Sequence, residues 1–94
     1  MNLSRILVVD DEPAICHLLR NVLTTRQHRV DTAGAAWDAL SKLQARSYDL
    51  AIVDRLLPGI DGLHPAEAIR ILAPGTPATL LPAYGTPSLA TRAS

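Results

Sequence analysis

The sequence predicts an α/β fold, an open parallel sheet with helices on both faces. Three observations carry this. Apolar runs suited to strands alternate with stretches of helical periodicity, in the order βαβαβαβ with a short helical tail. Two of the runs, RILVV at residues 5–9 and LAIV at 50–53, are continuous rather than alternating, as strands covered on both faces are. Both stop on carboxylates, Asp10-Asp11-Glu12 and Asp54, at the carboxyl end where open α/β sheets hold their ligands.

The elements follow in order. After the first run, Pro13 suits the first turn of a helix, and acids before it suit the helix dipole. Ile15, Leu18, Leu19, Val22 and Leu23 then recur at i, i+3, i+4, i+7 and i+8, one apolar helical stripe, with Arg26 and Arg29 placed for its C-terminal dipole. Residues 30–33 are a short strand, broken by Gly34. Residues 35–46 read as a helix with Trp37, Leu40 and Leu43 on one side, Trp37 anchoring the core edge, and Asp38 set to pair with Lys42 at i, i+4. Residues 50–54 are the central strand, followed by a loop in which Pro58 presets φ, Gly59 allows φ > 0, and Asp61-Gly62 opens the next helix. That helix spans 63–72, with Ala66, Ile69 and Leu72 inward and Pro65 tolerated in its first turn. Residues 74–77 turn the chain, 78–81 form a fourth strand closed by Pro82, and Ser88 caps a last helical turn over 89–93.

Composition narrows the class. Ninety-four residues make one small domain, 48% apolar and 19% charged, with no Phe and an aliphatic core. Zero net charge offers no electrostatic case for nucleic acid or an anionic membrane. The single cysteine, Cys16, excludes an internal disulfide; with no 18-residue apolar run and no leader, a cytoplasmic protein is expected. Cys16 reads as a packing residue, His17 and His28 as solvated, and His64 as a surface residue of the loop.

If the first and third strands are neighbours, Asp10, Asp11 and Asp54 converge at one sheet edge. Such carboxylates repel one another and raise each other's pKa unless a cation neutralises them. An all-oxygen site of this kind suits Mg²⁺, beside which an Asp can act as a nucleophile on phosphorus. Asp10, Asp11 and Glu12 are also ordinary helix-capping acids, and Asp61 suits a turn. Two apolar strands ending in Asp, the second followed by Pro-Gly, weigh toward a site.

ILVVDDEP at residues 6–13 and YDLAIVDRLLPGIDG at 48–62 resemble the receiver domain of two-component response regulators. PATLLPAYG at 77–85 is similar to the fourth strand and loop of receivers of the nitrogen-regulation type. The resemblance implies a flavodoxin-like fold, strand order 2-1-3-4-5, and phosphate accepted from a histidine kinase or phosphotransfer protein. It implies Asp54 as phosphoacceptor. Mg²⁺ would be held by the side chains of Asp11 and Asp54, by Asp10 through water, and by the backbone carbonyl of Leu56. Two positions depart from the pattern. Pro82 stands where the family has a hydroxyl that binds the phosphoryl group, and no lysine matches the family's Lys after the fifth strand, Lys42 being the only one. The chain ends before that strand, so the expected sheet is 2-1-3-4 within a single truncated receiver over residues 1–94.

Three functions follow as expectations. The leading one is a receiver with an acidic Mg²⁺ site and impaired phosphotransfer. The second is a pseudo-receiver acting by protein contact alone. The third, an unrelated Asp-nucleophile phosphatase, is disfavoured because Arg55 and Leu56 follow Asp54 where Asp-x-Asp is needed. In the family topology a fifth strand and helix would cover the fourth strand and the Ile6, Val8 and Ile52 or Val53 side. Their absence predicts a homodimer through the fourth-strand edge, or a loosely ordered tail after Pro74.

Overall fold

The structure is a computed structural model that describes residues 4–81. Seven elements follow one another: β1 (Arg5–Val9), α1 (Pro13–Thr25), β2 (Arg29–Ala33), α2 (Ala36–Ala45), β3 (Leu50–Asp54), α3 (Pro65–Leu72) and β4 (Ala78–Leu81). The strands form one parallel sheet in the order β2-β1-β3-β4. The chain steps from β1 outward to β2, then back across β1 to β3 and on to β4. Right-handed crossovers therefore put α1 on one face and α2 and α3 on the other.

Strand parity sets the core. Leu7 and Val9 pair with Ala51 and Val53, and all four are fully buried. They pack with Ala39 of α2 and Ala66 and Ile69 of α3, while Leu40 and Leu43 close the edge. The alternate residues, Ile6 and Val8, face α1's side. They are buried as well, so the bare patch expected at Ile6 and Val8 is not found. Val53 is likewise buried, and Ile52 is half-buried.

Several expectations change. Helix α1 stops at Thr25, and Gln27 turns the chain at φ 70°, so Arg29 begins β2 rather than serving the helix terminus. Trp37 is 70% exposed, because Ala36, Ala39, Leu40 and Leu43 supply α2's inner face and rotate the indole outward. Leu72 is exposed while Pro65, Ala66, Ala68 and Ile69 bury α3. Helix α3 starts at Pro65, not at residue 63. His28 is half-buried, with its Nδ1 buried and lacking a hydrogen-bond partner among the described residues, not solvated. The Asp38–Lys42 pair forms as expected, at 3.0 Å. The expectations for Pro82 and for a helical turn over 89–93 lie outside the described residues.

Candidate functional site

The register of β1 and β3 builds the site. Val9 lies opposite Val53, so the next residues, Asp10 just past β1 and Asp54 at the end of β3, come together at the same edge of the sheet. Asp11 follows directly. Ligand oxygens of Asp10, Asp11 and Asp54 all lie within 4.8 Å of one another. Three residues predicted from strand ends more than 40 positions apart are thus brought together.

The carboxylates sit in different settings. Asp10 is 5% exposed and accepts the Glu12 N–H at Oδ1, 2.9 Å. Burial pushes its carboxyl up from the ordinary value, the Glu12 N–H opposes this, and the charges of Asp54, Asp11 and Glu12 add to the rise. Mutual repulsion is therefore secondary to desolvation at Asp10. Asp54 is half-buried and accepts the Leu56 N–H at Oδ1, 3.0 Å. Asp11 is exposed. Among the described residues the second oxygen of Asp10 and of Asp54 takes no hydrogen bond.

This donor set fits Mg²⁺. All its donors are hard oxygens, and opposed ligands of an octahedral Mg²⁺ lie about 4.2 Å apart, twice the roughly 2.1 Å bond. Oxygens within 4.8 Å of one another come near that span, so a small side-chain adjustment would let two carboxylates bind one ion directly, with water completing the shell.

The loop after β3 is tightly made. The Leu57 N–H reaches the Asp54 carbonyl at 3.2 Å, so the first turn falls on Arg55-Leu56 rather than on Pro58-Gly59. Leu57 is buried and Leu56 is 71% exposed. Ile60 and Leu63 exchange backbone hydrogen bonds of 2.8 and 2.9 Å around Asp61 (φ 51°) and Gly62 (φ 82°). Both central φ values are positive, as in a type I′ hairpin turn, for which Asp-Gly is a favoured pair. Asp61-Gly62 therefore closes a hairpin instead of opening a helix. Gly59 does not have positive φ; its reason is space, since a Cβ there would overlap the Leu63 carbonyl.

Two cavities flank the acids. One of about 480 Å³ runs past Asp10 and Asp11 to Cys16, His17, Arg20 and Thr32. Cys16 donates to the Asp10 carbonyl at 3.3 Å, and burial pushes its thiol up, away from the reactive thiolate. The other, about 220 Å³, lies between Asp11, Trp37, Leu57 and Ile60, so Trp37 stands beside the site rather than at the core edge.

His64 is a residue that sequence reasoning misjudged. It is the N-cap of α3: its Nδ1 accepts the Ala66 N–H at 3.1 Å and its Nε2 lies 2.8 Å from the Arg55 carbonyl. The signal was present as His-Pro with Glu67 three positions on, a capping pattern with His in place of Ser or Thr. A second missed group lies away from the acids. Tyr48 is buried and donates to Asp31 at 2.6 Å, and Arg5 and Arg46 flank Asp31 at 3.8 and 3.9 Å.

Comparison with known proteins agrees with this architecture. Residues 6–94 match the response regulator receiver domain family. The transcriptional regulatory protein TcrA of Mycobacterium tuberculosis is 40% identical over 81 residues, 86% of this chain and 32% of the relative. ResD of Bacillus subtilis, also a transcriptional regulatory protein, is 38% identical over 84 residues, 89% of this chain and 35% of the relative. The chain thus spans about a third of the length of these curated relatives. Among solved structures, the response regulator TrrA of Thermotoga maritima, in complex with Mg²⁺-BeF, is 43% identical. It superposes with a TM-score of 0.76 over 88% of this chain and 72% of that one. A CheY-like receiver from Methanospirillum hungatei, 28% identical, superposes at 0.77 over 98% and 74%. The four-stranded order 2-1-3-4 with its helices is the flavodoxin-like arrangement of these neighbours. Among the described residues no helix is long and apolar enough to cross a membrane.

Proposed function

Because the chain belongs to the response regulator receiver domain family, we propose that it is a two-component signalling module whose phosphoacceptor is Asp54. The observation that carries this is the convergence of Asp10, Asp11 and Asp54 within 4.8 Å at the carboxyl edge of the sheet. Such a module takes its phosphoryl group from a histidine kinase or phosphotransfer protein and is not an enzyme in the ordinary sense.

In this reading an Asp54 oxygen forms the bond to phosphorus as the donor's bond to nitrogen breaks. The Leu56 N–H holds Asp54 Oδ1, which leaves the other oxygen to attack. Asp11 and Asp54 would hold Mg²⁺ directly, Asp10 through water, and Leu56 through its carbonyl. When bound, Mg²⁺ offsets the charge of the carboxylates and of the transferring phosphoryl group. Asp10, tied down by the Glu12 N–H, would act as a fixed acceptor for metal-bound water.

Phosphotransfer is proposed to be impaired. Pro82 stands at the position where the family carries its hydroxyl. The same observation favours a second reading, a pseudo-receiver that occupies a partner without phosphotransfer. A cytoplasmic location, self-association and no direct contact of this domain with nucleic acid belong to the same proposal. The nitrogen-regulation subtype rests on residues 77–85 alone.

One experiment separates the two readings. The chain is incubated with a small phosphodonor with Mg²⁺ or with chelator, and the intact mass is followed over time. Gain of one phosphoryl group, slow, Mg²⁺-dependent and lost in Asp54→Asn, supports the receiver. No gain at any time supports the pseudo-receiver.

A further inference from the structure

The imidazole of His64 is tied at both nitrogens, and its partners assign its protons. A backbone N–H can only donate, so Nδ1, 3.1 Å from the Ala66 nitrogen, carries no hydrogen. A carbonyl can only accept, so Nε2, 2.8 Å from the Arg55 oxygen, is the N–H. One neutral tautomer satisfies both contacts.

The Arg55 carbonyl and the Leu56 N–H belong to the same peptide group. The Leu56 N–H is the donor that holds Asp54 Oδ1 at 3.0 Å. A peptide group is planar and stiff, so fixing its oxygen fixes the direction of its N–H. Hydrogen bonds in series also polarise one another. The imidazole itself is anchored by the first turn of α3, whose Pro65, Ala66 and Ile69 are buried in the core. The Ile60–Leu63 hairpin and the close approach of Gly59 to Leu63 deliver His64 to this place.

We propose that His64 is a positioning residue for Asp54, acting through the 55–56 peptide: α3 to imidazole, imidazole to the Arg55 carbonyl, and Leu56 N–H to the carboxylate. The orientation of the Asp54 carboxylate is thereby coupled to the docking of α3. The relay deepens the proposed function, since it sets the group assigned there as phosphoacceptor, but the geometry does not depend on that assignment.

The test uses the isotope-labelled full chain and needs no variant for its first arm. Imidazole nitrogen–proton correlation spectra at neutral pH should show His64 as the Nε2–H tautomer; an Nδ1–H tautomer or an averaged ring overturns the proposal. The second arm compares His64→Asn and His64→Ala with wild type by amide exchange. Asn keeps a good cap acceptor for the Ala66 N–H but is too short to reach the Arg55 carbonyl. In His64→Asn, exchange at Leu56 should quicken about fivefold, the loss of one ordinary hydrogen bond, while Ala68 and Ile69 keep their protection. In His64→Ala both regions should lose protection. Unchanged Leu56 exchange in His64→Asn refutes the relay, and parallel loss at Leu56 and Ile69 in that variant reduces His64 to a helix cap. The third arm measures Mg²⁺ affinity, which should weaken in His64→Asn. If wild type binds no Mg²⁺, the proposed function fails while the first two arms still decide the relay.

Discussion

Asp10 and Asp54 each follow directly on the Val9–Val53 pair, the last register pair of β1 and β3, and their carboxylate oxygens lie within 4.8 Å of each other. They differ in environment: Asp10 is 5% exposed, whereas Asp54 is half-buried and held by the Leu56 N–H. That difference makes the behaviour of the site dependent on pH and cation.

Divalent cation should bind weakly at Asp11 and Asp54. Asp11→Asn or Asp54→Asn should lower Mg²⁺ affinity by more than about tenfold, since loss of even an outer partner costs 10–100-fold. Trp37 shares a cavity with Asp11, so its fluorescence is a usable reporter alongside calorimetry. Binding that is unchanged in both variants would place the cation elsewhere.

Asp10→Asn should stabilise the metal-free chain at neutral pH. Burial, aided by Asp54 and Asp11 and opposed by the Glu12 N–H, raises the Asp10 carboxyl above its unfolded value. The native state therefore keeps its proton longer. Its contribution is fully present below the unfolded value, about 3.9, and is lost as pH rises through the raised folded value. Asn can accept the Glu12 N–H and never ionises. Melting curves in chelator should show the variant gaining on wild type as pH rises above the unfolded value; a constant offset would count against this account.

Tyr48→Phe should cost roughly 1 kcal/mol, the worth of an ordinary hydrogen bond, which is about 4–8 °C of melting temperature for a domain of this size. Burial, with the bond to Asp31, pushes the Tyr48 phenol up to about 12. The unfolded phenol ionises near 10, so wild type should lose stability as pH rises from 10 toward the folded value of about 12. The Phe variant should lack that decline, and a denaturation series over alkaline pH checks it.

Gly59→Ala should destabilise by roughly 1–3 kcal/mol, the ordinary cost of forcing atoms into occupied space, because its Cβ would meet the Leu63 carbonyl. Gly34 has open space around it and no positive φ, so Gly34→Ala should be neutral or stabilising by up to about 1 kcal/mol. Equal effects in chemical denaturation would refute the distinction.

Self-association should run through the β4 side, where Leu80 is 44% exposed on a strand with one described neighbour. Leu80→Lys should weaken a concentration-dependent dimer in light scattering, since an edge lysine opposes strand pairing. A monomer at all micromolar concentrations would remove the prediction.

The sequence by itself determined the order of elements and the place of the acids. Both are local properties: continuous apolar runs at 5–9 and 50–53 mark buried strands, and a strand's side-chain period of two carries each run to its terminal Asp. The Asp38–Lys42 pair is local in the same sense. Tertiary structure decided what depends on surfaces far apart in the chain. Trp37 turns outward because the Ala36, Ala39, Leu40 and Leu43 face fits the sheet better than the indole does. Gly59 is set by the approach of Leu63, and Tyr48 by Asp31 across 17 residues. His64 reads as a surface residue until α3 docks and brings its imidazole to the Arg55 carbonyl, nine residues back. Periodicity reports which face a residue takes along its own element; it carries no information about which backbone group another element will deliver to that face.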